Sequence, residues 1–119
     1  MIELHSVEAT MSNVEYCQVV TATDSRTQAE GLARGAVEAR LAASAQVVGS
    51  MGSTYWWRGT IVAAEEWQVT FRTTRARYSA LEDFIREHHN YEVPGIVCLP
   101  FVAGYQPYLE WITAETTTR

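Results

Sequence analysis

Apolar and polar positions change their period several times along this chain, and each change marks an element. Residues 15–22, Glu-Tyr-Cys-Gln-Val-Val-Thr-Ala, are rich in β-formers and predict a first strand. Asp24 and Ser25 then offer helix N-caps, with Gln28 in the capping-box position behind Ser25. Ala29, Leu32, Ala33, Ala36, Val37 and Leu41 follow at helical spacing, so one apolar stripe runs as far as Leu41. The small residues in that stripe let the helix sit close to a sheet.

From Ala45 the period shortens again. Gln46-Val-Val-Gly-Ser-Met51 leads into the aromatic run Ser53-Thr-Tyr-Trp-Trp-Arg-Gly59, and a second β-type run follows from Thr60 to Thr73. In its later part Trp67, Val69 and Phe71 alternate with Glu66, Gln68, Thr70 and Arg72, the mark of a strand with one buried face. The two runs predict an unusually long hairpin turning near Arg58-Gly59. Strands of about 10 residues or more tend to overhang their own sheet.

Residues 74–89 return to helical spacing, with Tyr78, Leu81, Phe84, Ile85 and His88 on or near one stripe. Asn90-Tyr-Glu-Val-Pro94 is a connector, because the residue before a proline avoids the helical region. Residues 95–102 form an apolar run that predicts a buried strand. Pro107 then suits a first helical turn, before Tyr108, Leu109, Trp111 and Ile112 on a short amphipathic helix. The domain plan is an N-terminal arm over 1–13, expected to be mobile, one domain over 14–113, and a tail over 114–119 expected to fray.

The order is β-α-β-β-α-β plus a C-terminal helix, an α+β ferredoxin-like sandwich with a long hairpin between its second and third strands. Two helices on one face leave the other face of the sheet bare. One chain therefore carries more apolar surface than it covers, and closed cyclic self-association is the usual solution. Tyr55, Trp56, Trp57 and Trp67 are the expected interface residues, packed against another subunit.

Composition narrows the function. A net charge of -5 argues against nucleic acid, which needs a basic face. All nine basic residues are arginine, which excludes a lysine nucleophile or Schiff base. No apolar run approaches the ~20 residues of a spanning helix, and no basic-then-apolar signal pattern opens the chain. The expectation is a cytoplasmic protein with reduced thiols and no membrane contact. Two cysteines, Cys17 and Cys98, are too few for a disulfide scaffold. No Ser-His-Asp order, Gly-rich phosphate loop or HExxH is present, so no catalytic residue is assigned.

Several separated motifs resemble the CutA family of divalent-cation tolerance proteins over residues 15–113. They are Leu41-Ala-Ala43, Ser53-Thr-Tyr-Trp-Trp-Arg-Gly59, Glu66, Arg72-Thr73, His89-Asn90-Tyr91 with Val93-Pro94, and Tyr108-Leu109-x-Trp111. The resemblance implies a ferredoxin-like homotrimer whose hairpins extend onto neighbouring sheets, related in architecture to PII-type signalling proteins. It also implies a link to copper and divalent-metal tolerance, with no established enzymatic activity and no required cofactor. The family's shared residues gather at an inter-subunit cleft, here Tyr55, Trp57, Glu66, Arg72, His89, Tyr91 and Trp111. Three positions depart from the pattern: Ser44 replaces a cysteine, Asn90 a proline and Gly95 a glutamate. Serine is a poor soft-metal ligand, so a cysteine-based copper site at position 44 is lost.

The candidate metal ligands are His89 with Glu66 or Glu92, completed by a neighbouring subunit or water. The bland alternative packs His88 on the helix stripe and uses His89 to cap the helix end. Cys17 and Cys98 fall on neighbouring antiparallel strands, so a dithiol pair suited to Cu(I) competes with two inert core thiols. Glu66 and Arg72 share one strand face about 20 Å apart. In a trimer Glu66 would take cations and Arg72 a carboxylate or phosphate. A small-anion sensor anchored by Arg72, an enzyme using His89 and Glu66, and a structural trimer scaffold are the rival readings.

Overall fold

The computed structural model describes residues 14–117, so the predicted N-terminal arm lies outside the described residues. Strand β1 is Tyr16–Thr23, helix α1 Arg26–Glu38, strand β2 Ser44–Trp57 and strand β3 Thr60–Thr74. A 3-10 turn over Arg75–Arg77 leads into helix α2, Tyr78–His88; strand β4, Val97–Pro100, and helix α3, Gln106–Thr116, complete the chain. The sheet order is β2-β3-β1-β4 with every neighbouring pair antiparallel, the ferredoxin-like arrangement the pattern predicts.

Helix α1 begins where its cap residues place it. The Ser25 hydroxyl accepts from the Gln28 backbone N–H at 3.2 Å. The reciprocal half of a capping box is absent, because Gln28 Nε2 donates instead to the His88 carbonyl at 3.1 Å. The helix stops three residues short of the predicted Leu41. Arg40 takes a left-handed φ of 63°, and the N–H groups of Arg40 and Leu41 reach back to Val37 and Ala36. That is a Schellman ending, in which the residue after the left-handed one still packs apolar surface on the helix. Leu41 thus keeps its place against the core without being helical.

The core lies between the sheet and α1 and α2. Cys17 and Val19 of β1 and Val69 and Phe71 of β3 meet Ala29, Leu32, Ala36, Leu81 and Ile85. The other sheet face is only partly covered. Helix α3 crosses it at Tyr16, whose hydroxyl lies 2.6 Å from Thr113 Oγ1, and at Arg72, which donates to the Tyr108 hydroxyl at 3.0 Å. Arg40 ties the far end of α3 down through a 2.6 Å contact with the Glu115 carboxylate. The segment predicted to fray is therefore helical to Thr116, which is itself buried.

Two further expectations change. Strand β4 is four residues long and an edge strand, with Val97 53% and Leu99 49% exposed, because no helix among the described residues reaches its outer face. Trp67 lies on the helix-packed face, half-buried against the core, and not among the overhanging aromatics. Its ring fills the space beside Gly49, where an added Cβ would come within 2.4 Å of the indole. Beyond that point β2 and β3 continue as a bare two-stranded ribbon, which stretches the molecule to 54 Å along its long axis. Its turn has positive φ at both central residues, Arg58 (52°) and Gly59 (79°), as a tight two-residue hairpin requires.

Candidate functional site

The ribbon and the connector after α2 enclose a cleft of about 660 Å³. Tyr55, Trp56 and Trp57 of β2 form one wall, and Asn90, Tyr91 and Glu92 the other. Val20 and Ala22 of β1 and Glu66 of β3 make the floor. Sheet geometry explains the aromatic wall: the ribbon overhangs the sheet, so its side chains meet the connector instead of a helix. A rim contact closes the tip. Arg58 lies 5.2 Å over the Trp57 ring and reaches Glu92 at 2.5 Å. Both charged side chains of that pair are well exposed, so it contributes about 0–1 kcal/mol.

The most constrained group in the cleft is Glu66, only 7% exposed. The Tyr91 hydroxyl donates to its carboxylate at 2.5 Å, a short charge-assisted bond. Burial, then the hydrogen bond and negative charge of Glu66, hold the Tyr91 phenol well above its ordinary pKa. Tyr91 therefore stays a donor through the whole neutral range. Thr21, which also borders the cleft, has a buried hydroxyl with no hydrogen-bond partner among the described residues.

His89 is placed by backbone groups. Its N–H bonds the Ile85 carbonyl at 2.8 Å and ends α2. Its Nε2 lies 2.8 Å from the Ala22 carbonyl, and its Nδ1 accepts from the Tyr91 N–H at 3.0 Å. A carbonyl only accepts, so both contacts are met by one tautomer, Nε2–H with Nδ1 as acceptor. Neither nitrogen is left for a metal. The ring also lies 4.7 Å from that of Tyr91, so His89 sets the orientation of the residue that grips Glu66. His88 faces away, stacked on Phe84 at 4.3 Å with Nδ1 on the Phe84 carbonyl.

The predicted metal trio is thus divided among three jobs. Glu66 bonds Tyr91, Glu92 pairs with Arg58, and His89 joins β1 to the connector. Among the described residues, no group of three or more His, Cys, Asp or Glu side chains gathers as a metal cage. The described donors of one chain do not by themselves fit a resident divalent ion. Arg72 and Trp111, expected at an inter-subunit cleft, lie under and on α3 in the single chain. Arg72 contacts Tyr108 and Gln18, and Trp111 stacks on Tyr108 at 5.7 Å. Tyr55, Trp57 and Tyr91 do line the cleft. Ser44, the departure from the family cysteine, has a buried hydroxyl without a partner among the described residues.

Sequence reasoning missed the residues that fasten the connector. Asn90 donates to Asp24 at 3.1 Å, and the Thr23 hydroxyl donates to Gln28 and lies 3.4 Å from Asn90 Oδ1. The one signal was Asn90 itself, a polar residue where the resemblance expects proline. It replaces ring stiffness with hydrogen bonds.

With fold and cleft in view, comparison with known proteins defines the class. Residues 17–115 match the family described as CutA1 divalent ion tolerance protein. The chain belongs to that family. It is 34% identical over 98 residues to the divalent-cation tolerance protein CutA of Thermus thermophilus, covering 82% of this chain and 95% of that one. It is 38% identical over 88 residues to human protein CutA, covering 74% of this chain and 49% of the human one. The chain spans 49–62% of the length of the frog, rice and human relatives it matches. Among solved structures, the Thermus thermophilus protein superposes with a TM-score of 0.79 at 33% identity, covering 82% of this chain and 94% of that one. CutA1 from Shewanella sp. SIB1 gives 0.84 at 30% identity, over 87% and 97% of the two chains.

Proposed function

We propose that three copies of this chain assemble into a cytoplasmic trimer serving divalent-cation tolerance, copper foremost, with the cleft under the aromatic ribbon as its ligand site. The observation that carries this reading is the uncovered apolar surface on the ribbon and outer sheet face. Trp56 is 70% exposed, and Val48, Ile61, Val97 and Leu99 are also bare in one chain. Apolar surface on that scale marks an association site, and closed cyclic symmetry is the usual outcome. The names of the relatives support the cation-tolerance part. The described residues bring the carboxylates of Glu66 and Glu92 to the cleft and no free imidazole nitrogen, and donors from a second copy would complete a cation site. By the Irving–Williams order, copper(II) binds such a site most tightly among the first-row divalent ions.

A small-molecule sensor related to PII-type proteins is the second reading, favoured by the aromatic walls. Its occupant would bear positive charge, because the cleft offers carboxylates and Arg72 is engaged with Tyr108 and Gln18 elsewhere. Light scattering at micromolar concentration, joined to calorimetric titration with Cu²⁺ and Zn²⁺, tests the first reading. The expected result is the mass of three chains and a heat of binding that Glu66→Gln abolishes. A monomer mass defeats the assembly. Metal heat unchanged by Glu66→Gln removes the cation from this cleft.

A further inference from the structure

Cys17 and Cys98 stand on the opposite sheet face from the cleft and have no part in the reading above. Val19 faces Cys98 and Cys17 faces Pro100 across the β1–β4 ladder, so the two cysteines are diagonal neighbours on the helix-packed face. Both side chains pack against the same core cluster. Cys17 is 1% exposed within the core, whereas Cys98 is half-buried on the edge strand and packs on that core. Both are free. Diagonal pairs on a ladder have Cα atoms about 7–8 Å apart. That exceeds the usual span of a disulfide, which ends near ~7 Å.

The surroundings select the chemistry. No third His, Cys, Asp or Glu joins the two thiols as a ligand group among the described residues. Zinc in structural sites takes four ligands, so two sulfurs do not complete it. Soft thiolates select copper in its monovalent state. Burial and the neighbouring charge of Cys98 resist ionisation of Cys17, whereas the positive charge of Arg75 favours it. A cation between the sulfurs would remove that mutual repulsion.

We propose that Cys17 and Cys98 form a two-coordinate thiolate site for a monovalent soft metal ion, Cu(I), entered beside the edge strand β4. Binding is a ligand exchange without electron transfer: one Cu⁺ and two thiols give an S–Cu–S unit of net charge -1 and two released protons. Arg75 balances the remaining negative charge. Because the site shares no residue with the cleft, it stands or falls independently of divalent binding there.

The test is anaerobic titration of the reduced full chain with Cu(I) against the chromogenic competitor bicinchoninate, with native mass spectrometry for stoichiometry. One Cu(I) per chain is expected, with affinity falling at least ~100-fold in Cys98→Ser and unchanged in Glu66→Gln. Cys98 is half-exposed on a short edge strand, so this variant should keep the fold, and circular dichroism checks it. Cys17→Ala provides the second arm and should lose the ion equally. Absence of Cu(I) binding, or equal binding by Cys98→Ser and the unaltered chain, overturns the proposal. Loss in Glu66→Gln with retention in Cys98→Ser overturns it too, by moving the ion to the cleft.

Discussion

The two ends of the β2–β3 hairpin are built from the same two strands and meet different fates. At the sheet end, Val69 and Phe71 are fully buried beneath α1 and α2; at the ribbon end, Trp56 and Ile61 of the same ladder are open. Alternation along a strand records which residues share a face. It does not say what body covers that face. The sheet end is completed by its own chain, whereas the ribbon has more aromatic surface than its own connector can cover.

Three outcomes press on that difference. The largest is expected at the covered end, where Phe71→Ala should cost about 3–5 kcal/mol, read as a lower urea midpoint with unchanged assembly per folded chain. A much smaller loss would mean that the core is not centred on that ring. The next effect follows from the buried thiol. Burial pushes Cys17 from its usual 9.0 to about 12, and burial with the Glu82 contact takes Tyr78 from 10.0 to about 12. The unfolded chain releases these protons first, so their contribution is complete below pH 9 and is lost as pH rises toward 12. Urea melts across that window should show falling stability, with a shallower slope in Cys17→Ala. An identical slope would deny the thiol its role.

The smallest effect on the single chain is expected at the ribbon. Trp56→Ala should change the intrinsic stability of one chain by no more than about 0.5 kcal/mol, because the ring has little to lose within it. The same change should lower the mass seen by light scattering. Destabilisation without any change in assembly would make Trp56 a core residue after all and erase the contrast between the ends.

Much of the architecture was legible because it rests on local chemistry. The cap at Ser25, the turn at Arg58-Gly59 and the helical stripes each use signals a few residues long. The end of α1 was not legible, since Leu41 keeps the helical period while leaving the helix through a left-handed Arg40. The exposure of β4 was hidden for a different reason: an apolar run looks alike whether one or both faces are covered. Within the site, Tyr55, Trp57, Glu66 and Tyr91, singled out by side-chain type, line one cleft. The partners of His89 within the chain are a carbonyl and an N–H that no side-chain pattern reveals. Arg72 and Trp111 meet α3, which folds back over the sheet in a way the local pattern does not show.

The contact between Trp67 and Gly49 has a consequence for how the long ladder finds its pairing. A ribbon of 14 and 15 residues with both faces open toward its tip has little to distinguish one register from the next. Opposite Trp67, however, only a residue without a Cβ fits. Sliding β2 by one or two places either way would set Val47, Val48, Ser50 or Met51 against the indole. The pair works as a key and notch that fixes which aromatic reaches the cleft, at the far end of the hairpin from the core that holds it.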